Sequence, residues 1–268
     1  MSLIRPAAVA GAFYPGNKLI LSRDLDALLE HKPATIGPLP KAVIVPHAGY
    51  IYSGPTAASA YQRLARGRGV IKRVVLLGPA HRVSIRGLAL PEADHFATPL
   101  GLVVIDQAGS DAIRDLPQVL VSAAAHATEH SLEVQLPFLQ KVLGEFSLIP
   151  LVVGSTSAEA VAEVLERLWG GPETLIVISS DLSHYLPYDE AQRVDAQTTE
   201  MILNLKTGIN HEQACGGTPV NGFLLAAKSH GLHAELLDLR NSGDTAGDRH
   251  HVVGYCAFAF LEEPLIAH

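Results

Sequence analysis

The sequence predicts an α/β fold, a single domain built on a central mixed, mostly parallel sheet with helices on its faces. Three observations predict it. Short β-branched runs recur along the chain, they are apolar at successive positions, and helical patterns separate them. Uninterrupted apolar runs mark strands covered on both faces, and regular strand–helix alternation marks right-handed crossovers.

The strands, in order, are "KAVIVP" (41–46), "KRVVLLG" (72–78), "SLIPLVVG" (147–154), "TLIVISS" (174–180), "HAELLDL" (233–239) and "VVGYCAFAF" (252–260). Helical patterns cover 55–66, 109–116, 130–143, 156–169, 188–205 and 218–230. Pro55 is expected in a first helical turn, where a missing N–H costs nothing. The stretch "LALPEADHFATPLGLVVID" (88–106) carries turn residues between short runs and predicts a hairpin or meander at the sheet's edge. The densest punctuation, "HKPATIGPLPK" (31–41), separates an N-terminal helix from the first strand. No proline- or glycine-rich linker divides the chain, so 1–268 is expected to form one unit.

With 268 residues, 48% of them hydrophobic and 18% charged, the chain is long and apolar enough to build a core without staples. Acidic residues outnumber basic ones 27 to 20, and the formal charge of −7 argues against nucleic-acid binding. The two cysteines, Cys215 and Cys256, have no CxxC spacing. That argues against a disulfide framework and implies a reducing, cytoplasmic setting. Neither a signal peptide nor a membrane span is expected, since no apolar run approaches about 18 residues.

In an open α/β sheet, ligands bind at the carboxyl ends of the strands. The residues after each strand therefore carry the functional information. "VPHAGYIYSG" brings His47, with Tyr50 and Tyr52 beside it; "PAHR" brings His81; "DLSHY" brings Asp181 and His184; "RNSGDTAGD" brings Asn241, Asp244 and Asp248. A further polar cluster, "HATEHSLEVQ", holds His126, Glu129, His130 and Glu133. Imidazole suits iron, copper, zinc and nickel, and two imidazoles with one carboxylate make the facial triad of non-haem iron(II). A further histidine near neutral pKa serves as acid or base. Each residue also has a plainer role. Asp181 is placed to cap a helix, and Asp244 and Asp248 to form Asx turns beside Gly243 and Gly247. His250 and His251 precede the last strand, within reach of the site, while His31, His95, His211, His230, His233 and His268 have no such setting. Cys256, inside a strand, is expected to be inert. Cys215 precedes two glycines at a helix start, where a thiolate gains stability.

Taken together, "RPAAVAGAFYPG", "VPHAGYIYSG", "LLGPAHR", "TEHSLEVQLPFL", "ISSDLSHY", "CGGTPVNG" and "NSGDTAGD…VVGYCAFAF" resemble the Memo family over nearly the whole chain, and most closely its prokaryotic members, the AmmeMemoRadiSam system protein B group. The resemblance implies a fold like the catalytic subunits of class III extradiol dioxygenases. It implies metal ligands at His47 and His81 and a third from the loop after the penultimate strand. His184 matches the acid/base histidine. In the animal member the third ligand resembles a cysteine; the nearest equivalent in this loop is Asp244, with Asp248 as the substitute. The expected protein is a metal-dependent oxidoreductase, with iron(II) on His47, His81 and Asp244, or alternatively copper or zinc. His184 is its acid/base, with Asp181 orienting it, and Tyr50, Tyr52, Glu129 and His130 line the pocket. The rival readings are a non-enzymatic module that binds a peptide or partner in the same cleft, and a zinc hydrolase. The resemblance also implies a functional link to radical-SAM and AMMECR-domain proteins, and a small-molecule or peptide substrate that the motifs do not name.

Overall fold

The computed structural model describes residues 2–30 and 37–262. His31 and His268 lie outside the described residues. In chain order the elements are β1 (Ile4–Arg5), α1 (Lys18–Glu30), β2 (Ala42–Val45), α2 (Tyr50–Leu64), β3 (Arg73–Pro79), β4 (Leu88–Leu90), β5 (His95–Thr98), β6 (Gly101–Ile105), α3 (Gln107–Asp111), β7 (Val119–Val121) and α4 (Ala123–Ala127). They continue with α5 (Leu136–Leu143), β8 (Ser147–Val153), α6 (Ala158–Leu168), β9 (Thr174–Ser179), β10 (His184–Leu186), α7 (Tyr188–Leu203), α8 (Gly217–Ser229), β11 (Leu232–Asn241) and β12 (Val252–Glu262).

The strands form one 12-stranded mixed sheet with the path β1-β5-β6-β8-β3-β9-β2-β12-β10. Its centre is parallel: β3 pairs with β8 and β9, and β9 pairs with β2. The last strand, β12, runs antiparallel between β2 and β11. The expected meander is present as the antiparallel β5–β6 hairpin, with β4 running antiparallel to β8. The architecture is a single α/β domain, as the apolar runs predict.

Successive residues of the central strands point to opposite faces, and both faces are covered. Val43, Val45, Val74, Leu76, Leu148 and Val177 face a core closed by Leu21 and Leu25 of α1, Tyr61 of α2 and Phe138 of α5. Ile44, Val75, Leu77, Ile149, Ile176 and Ile178 face a second core closed by Val161 and Leu165 of α6 and by Phe223 and Leu224 of α8. This is why the strands read as continuous apolar runs and not as alternating ones.

One boundary differs in a way that matters. The helix expected from residue 55 starts at Tyr50, and Pro55 lies inside it. Gly49 accepts from Tyr52 N (2.8 Å) and Ser53 N (3.1 Å), so the first turn closes on the "GYIY" segment itself. The expected first-turn position is not kept: Pro55 is the sixth residue of the helix, past the first four N–H groups that lack an intrahelical partner, so the bond to Ile51 O is forgone there. The consequence is that Tyr50 and Tyr52 ride on a helix and not on a loop.

Candidate metal centre

Parallel register delivers the first pair of site residues. Val45 of β2 lies opposite Ser179 of β9. Two residues beyond each strand, His47 and Asp181 are therefore neighbours, and His47 N donates to Asp181 Oδ1 (2.7 Å). His81 leaves the end of β3, on the other side of β9. The third member comes from the segment between α4 and α5. Its Glu129 accepts from His81 N through Oε2 (2.6 Å), and Oε1 lies 2.9 Å from His81 Nδ1. Oε1 also accepts from the backbone N–H groups of His130 (2.9 Å) and Ser131 (3.0 Å). Glu129 thus ties the His130 turn to the His81 loop.

The result is a cluster of three imidazoles. Ring centroids are 5.1 Å apart for His47 and His81, 5.4 Å for His47 and His130, and 4.7 Å for His81 and His130. One nitrogen of each ring lies within 4.8 Å of the others, and among the described residues this is the group suited to a metal ion. A single ion with bonds of about 2.1 Å spans at most about 4.2 Å between two donors, so a sub-ångström closing of the rings brings them to bonding distance.

The hydrogen-bond network decides which nitrogens offer lone pairs. Ser179 Oγ lies 2.6 Å from the Ser131 carbonyl, which only accepts, so its single proton goes there. Ser179 Oγ also accepts from Gln135 Nε2 (2.8 Å), whose amide is fixed by Pro46 O and by the Tyr61 hydroxyl. Towards His47 Nδ1, at 2.9 Å, Ser179 can then only accept. His47 therefore carries its proton on Nδ1 and leaves Nε2 free. His81 Nδ1 faces the Glu129 carboxylate and is protonated for the same reason. Burial alone would raise the Glu129 carboxyl, but the close His130 ring and the hydrogen bonds from His81 and the backbone outweigh it and hold it far below the carboxylate range. Burial also pushes His47 down to about 4, against the pull of Asp181, so the ring is neutral at pH 7. His130 Nδ1 lies 3.2 Å from Glu129 Oε1 but is misaligned and buried without a hydrogen bond. A neutral His47 ring with an oriented lone pair, the two imidazoles beside it, one buried nitrogen lacking a partner, and a carboxylate behind them fit a metal ion.

A thiol completes the surroundings. Cys215 Sγ lies 3.3 Å from His47 Nε2 and 3.7 Å from Asp181 O. Burial, aided by Asp181, pushes this thiol up to about 12, so it is protonated and the S–H donates to the lone pair on Nε2. Gly216 makes the approach possible: a Cβ there would stand 2.6 Å from Ser180 Cβ, and Gly216 N donates to Ser180 Oγ (2.9 Å). The start of α8 is thereby locked against the end of β9.

The expected third ligand is not in this cluster. Asp244 accepts from Tyr188 OH (2.6 Å) and from Asn241 N (3.0 Å), closing a capping box on the short helical turn Ser242–Asp244. Asp248 accepts from His250 N (2.8 Å) in an exposed turn. Both carboxylates build their own loop: Asp248 in the Asx turn that the alternative reading anticipates, Asp244 through the capping box instead. The further donors beside His47 and His81 in this structure are His130 and Cys215, while the carboxylates of the loop after the penultimate strand are engaged by their own neighbours. Asp244→Asn is accordingly expected to leave metal affinity unchanged and to cost well under about 1 kcal/mol of stability, since an amide oxygen still accepts in the cap. Metal titration and urea unfolding of this variant check both halves.

The remaining candidates are distributed as follows. His184 lies on β10, with Nδ1 2.8 Å from Leu182 O and its ring against Tyr185. No hydrogen bond or ring contact joins it to the three histidines among the described residues. Tyr50 OH donates to Val134 O (2.8 Å), and its ring packs on Tyr14 and Phe138. Tyr50 and Tyr52 line an apolar cleft of about 810 Å3, together with Phe13 and Ile51. Phe13 lies between that cleft and the imidazole cluster, packing against His130 at 4.8 Å between centroids. His81 and Cys215 instead line a polar cleft of about 480 Å3, which also takes in His211. Cys256 is fully buried in β12, and burial raises its thiol well above the ordinary value. His126 is also buried, 2.8 Å from Ala89 O, and serves the core.

A Memo-like protein family model matches residues 5–259. The chain belongs to the Memo family. It is 38% identical over 275 residues to a MEMO1 family protein of Aquifex aeolicus, covering 96% of this chain and 99% of that one. It is 37% identical over 285 residues to a MEMO1 family protein of Ignicoccus hospitalis, again covering 96% and 99%. In fold it is similar to the crystal structure of an uncharacterized protein of Escherichia coli K12, with a TM-score of 0.51 and 14% identity, covering 81% of this chain and 99% of that one. This last likeness concerns the fold alone. No helix among the described residues of this Memo-family chain is long and apolar enough to cross a membrane.

The network behind His47 yields a further expectation. Ser179→Ala removes the acceptor that holds the Nδ1 proton, so His47 is free to change tautomer. Loss of such an outer partner typically costs about 10–100-fold in metal affinity. Ser179→Thr keeps the hydroxyl and should restore most of it. Nitrogen chemical shifts of His47 in the metal-free protein report the tautomer directly. An unchanged tautomer and affinity in Ser179→Ala would remove Ser179 from this role.

Proposed function

We propose that the protein is a mononuclear transition-metal oxidoreductase, with His47, His81 and His130 holding iron(II). The observation that carries this reading is the cluster of three imidazoles, in which Ser179 and Glu129 set the lone pairs of His47 and His81. Imidazole donors suit borderline ions, and an adjacent thiol keeps copper and zinc in competition. When bound, the ion would supply redox chemistry and Lewis acidity for a substrate in the polar cleft. The chain's own residues do the rest. Glu129 and Ser179 hold protons at the Nδ1 atoms, and Asp181 anchors the His47 backbone. Phe13 excludes water from the His130 side. His184, with Nδ1 committed to Leu182 O, keeps Nε2 available to take or give a proton.

The test is anaerobic purification, metal analysis and dioxygen uptake by the iron-loaded protein. Iron retained with dioxygen consumption that His130→Ala abolishes supports the reading. Tight zinc, with no dioxygen uptake under any metal loading, would replace it with hydrolytic chemistry. A second reading has its own observation: the apolar cleft beside Tyr50 and Tyr52, with Ile51 68% exposed, suits a peptide or partner protein. Binding of that kind would survive loss of the three histidines.

A further inference from the structure

The loop that carries His81 is held more tightly than a surface loop needs to be. Residues 80–87 are stitched to the end of β8 and the two residues after it at both ends of the loop, through Ala80 on one side and Ile85 and Gly87 on the other. Ala80 N donates to Val153 O (2.9 Å), Ser155 N to Ile85 O (2.9 Å), Gly87 N to Ser155 O (3.0 Å) and Gly154 N to Gly87 O (2.9 Å). Gly154 permits this contact, since a Cβ there would lie 2.2 Å from Ile85 O. The loop therefore presents its side chains from a fixed frame.

Next to His81 in that frame is Arg82. Its side chain lines the polar cleft, and among the described residues it has neither an ion pair nor a hydrogen bond. Ser84 on the same loop, and Ser155, Thr156 and Thr218 across from it, add hydroxyls to the lining. No carboxylate lines this cleft, although acidic residues number 27 against 20 basic ones in the whole chain. A guanidinium offers a planar fork of donors that matches a carboxylate or phosphate. Held beside a concave surface lined by hydroxyls, imidazoles, the Cys215 thiol and apolar side chains, it attracts an anion and has no internal partner to displace.

The geometry points to a substrate with an anionic oxygen head group, carboxylate or phosphate, bound by Arg82 and the cleft hydroxyls so that its other end reaches the His81–Cys215 edge of the cluster. The cleft's volume of about 480 Å3 suits a small organic molecule. This inference rests on the metalloenzyme reading for the chemistry, but the anion site stands on Arg82 alone.

The experiment titrates the protein, metal-loaded and metal-free, with benzoate, inorganic phosphate and neutral benzamide at constant ionic strength. The two anions are expected to bind and benzamide is not; the tighter anion identifies the head group. Arg82→Gln should weaken that anion about tenfold, as loss of a charged hydrogen bond does. Arg82→Lys should recover part of the loss, because it keeps the charge without the fork. Metal affinity should be the same in all three proteins, since Arg82 is not a ligand. Benzamide binding as well as benzoate, or anion affinity unchanged in Arg82→Gln, would overturn the inference. Failure of the chain to take up any metal would instead overturn the metalloenzyme reading, while the metal-free titrations still decide on Arg82.

Discussion

His130→Ala is expected to lose metal affinity by more than about a hundredfold while keeping the fold. The figure exceeds the 10–100-fold typical of an outer partner because a donor of the cluster itself is removed. His130 is the cleanest of the three to test. His47 is tied to Ser179 and Asp181, and His81 to Glu129, so truncating either also breaks hydrogen bonds that organise the loops. The His130 side chain has no hydrogen bond on Nδ1, and its backbone contact to Glu129 survives the substitution. Chelator competition with iron(II) or zinc, run beside circular dichroism, measures both quantities. Wild-type metal affinity in His130→Ala would remove His130 from the metal site and leave His47, His81 and Cys215 as the donors to test.

Glu133→Ala is expected to destabilise the protein by about 3–5 kcal/mol, the cost of leaving a buried charge without its counter-ion. Glu133 is fully buried and receives four donors from the N-terminal segment: the Arg5 guanidinium, Ala8 N (2.8 Å), Val9 N (3.0 Å) and Tyr14 OH (2.6 Å). Burial and the Glu133 carboxylate push the Tyr14 hydroxyl far above its ordinary pKa, so it remains a donor at any working pH. Alanine leaves Arg5 in the core with only the carbonyls of His126 and Glu129, and strips two amides of their acceptor. Glu133→Gln retains the shape and part of the bonding and should cost less. The midpoint of urea unfolding, at constant slope, reads the difference. A loss below about 1 kcal/mol in the alanine variant would contradict the assignment, because that is the range of an exposed ion pair. The same carboxylate shapes the site, since it holds the segment whose Phe13 covers His130.

Much of this molecule was legible along the chain. Uninterrupted runs such as "AVIV" and "TLIVIS" required a sheet buried on both faces, and the structure has one. His47, His81 and Asp181 were legible as site residues because each lies within two residues of a strand's carboxyl end, and neighbouring parallel strands bring such positions to one edge. That inference needs only local structure and register. The third donor needed more. Asp244 had the better sequence argument, but its two oxygens are consumed by Tyr188 and Asn241, within its own neighbourhood. His130 and Cys215 reach the cluster because the Glu129 turn and the start of α8 are folded over the strand ends by contacts 48 and 36 residues apart in the chain. No periodicity or spacing encodes such contacts, which follow from how the segments pack once the sheet exists. The Ser179–Gln135–Tyr61 network, which sets the His47 tautomer, is of the same kind: three polar residues on β9, beside α5 and on α2, each unremarkable in sequence. The sequence by itself determined the sheet and the edge where chemistry is placed. The tertiary structure decided which donors meet there, because donor identity depends on long-range packing and on the hydrogen bonds that packing leaves unfilled.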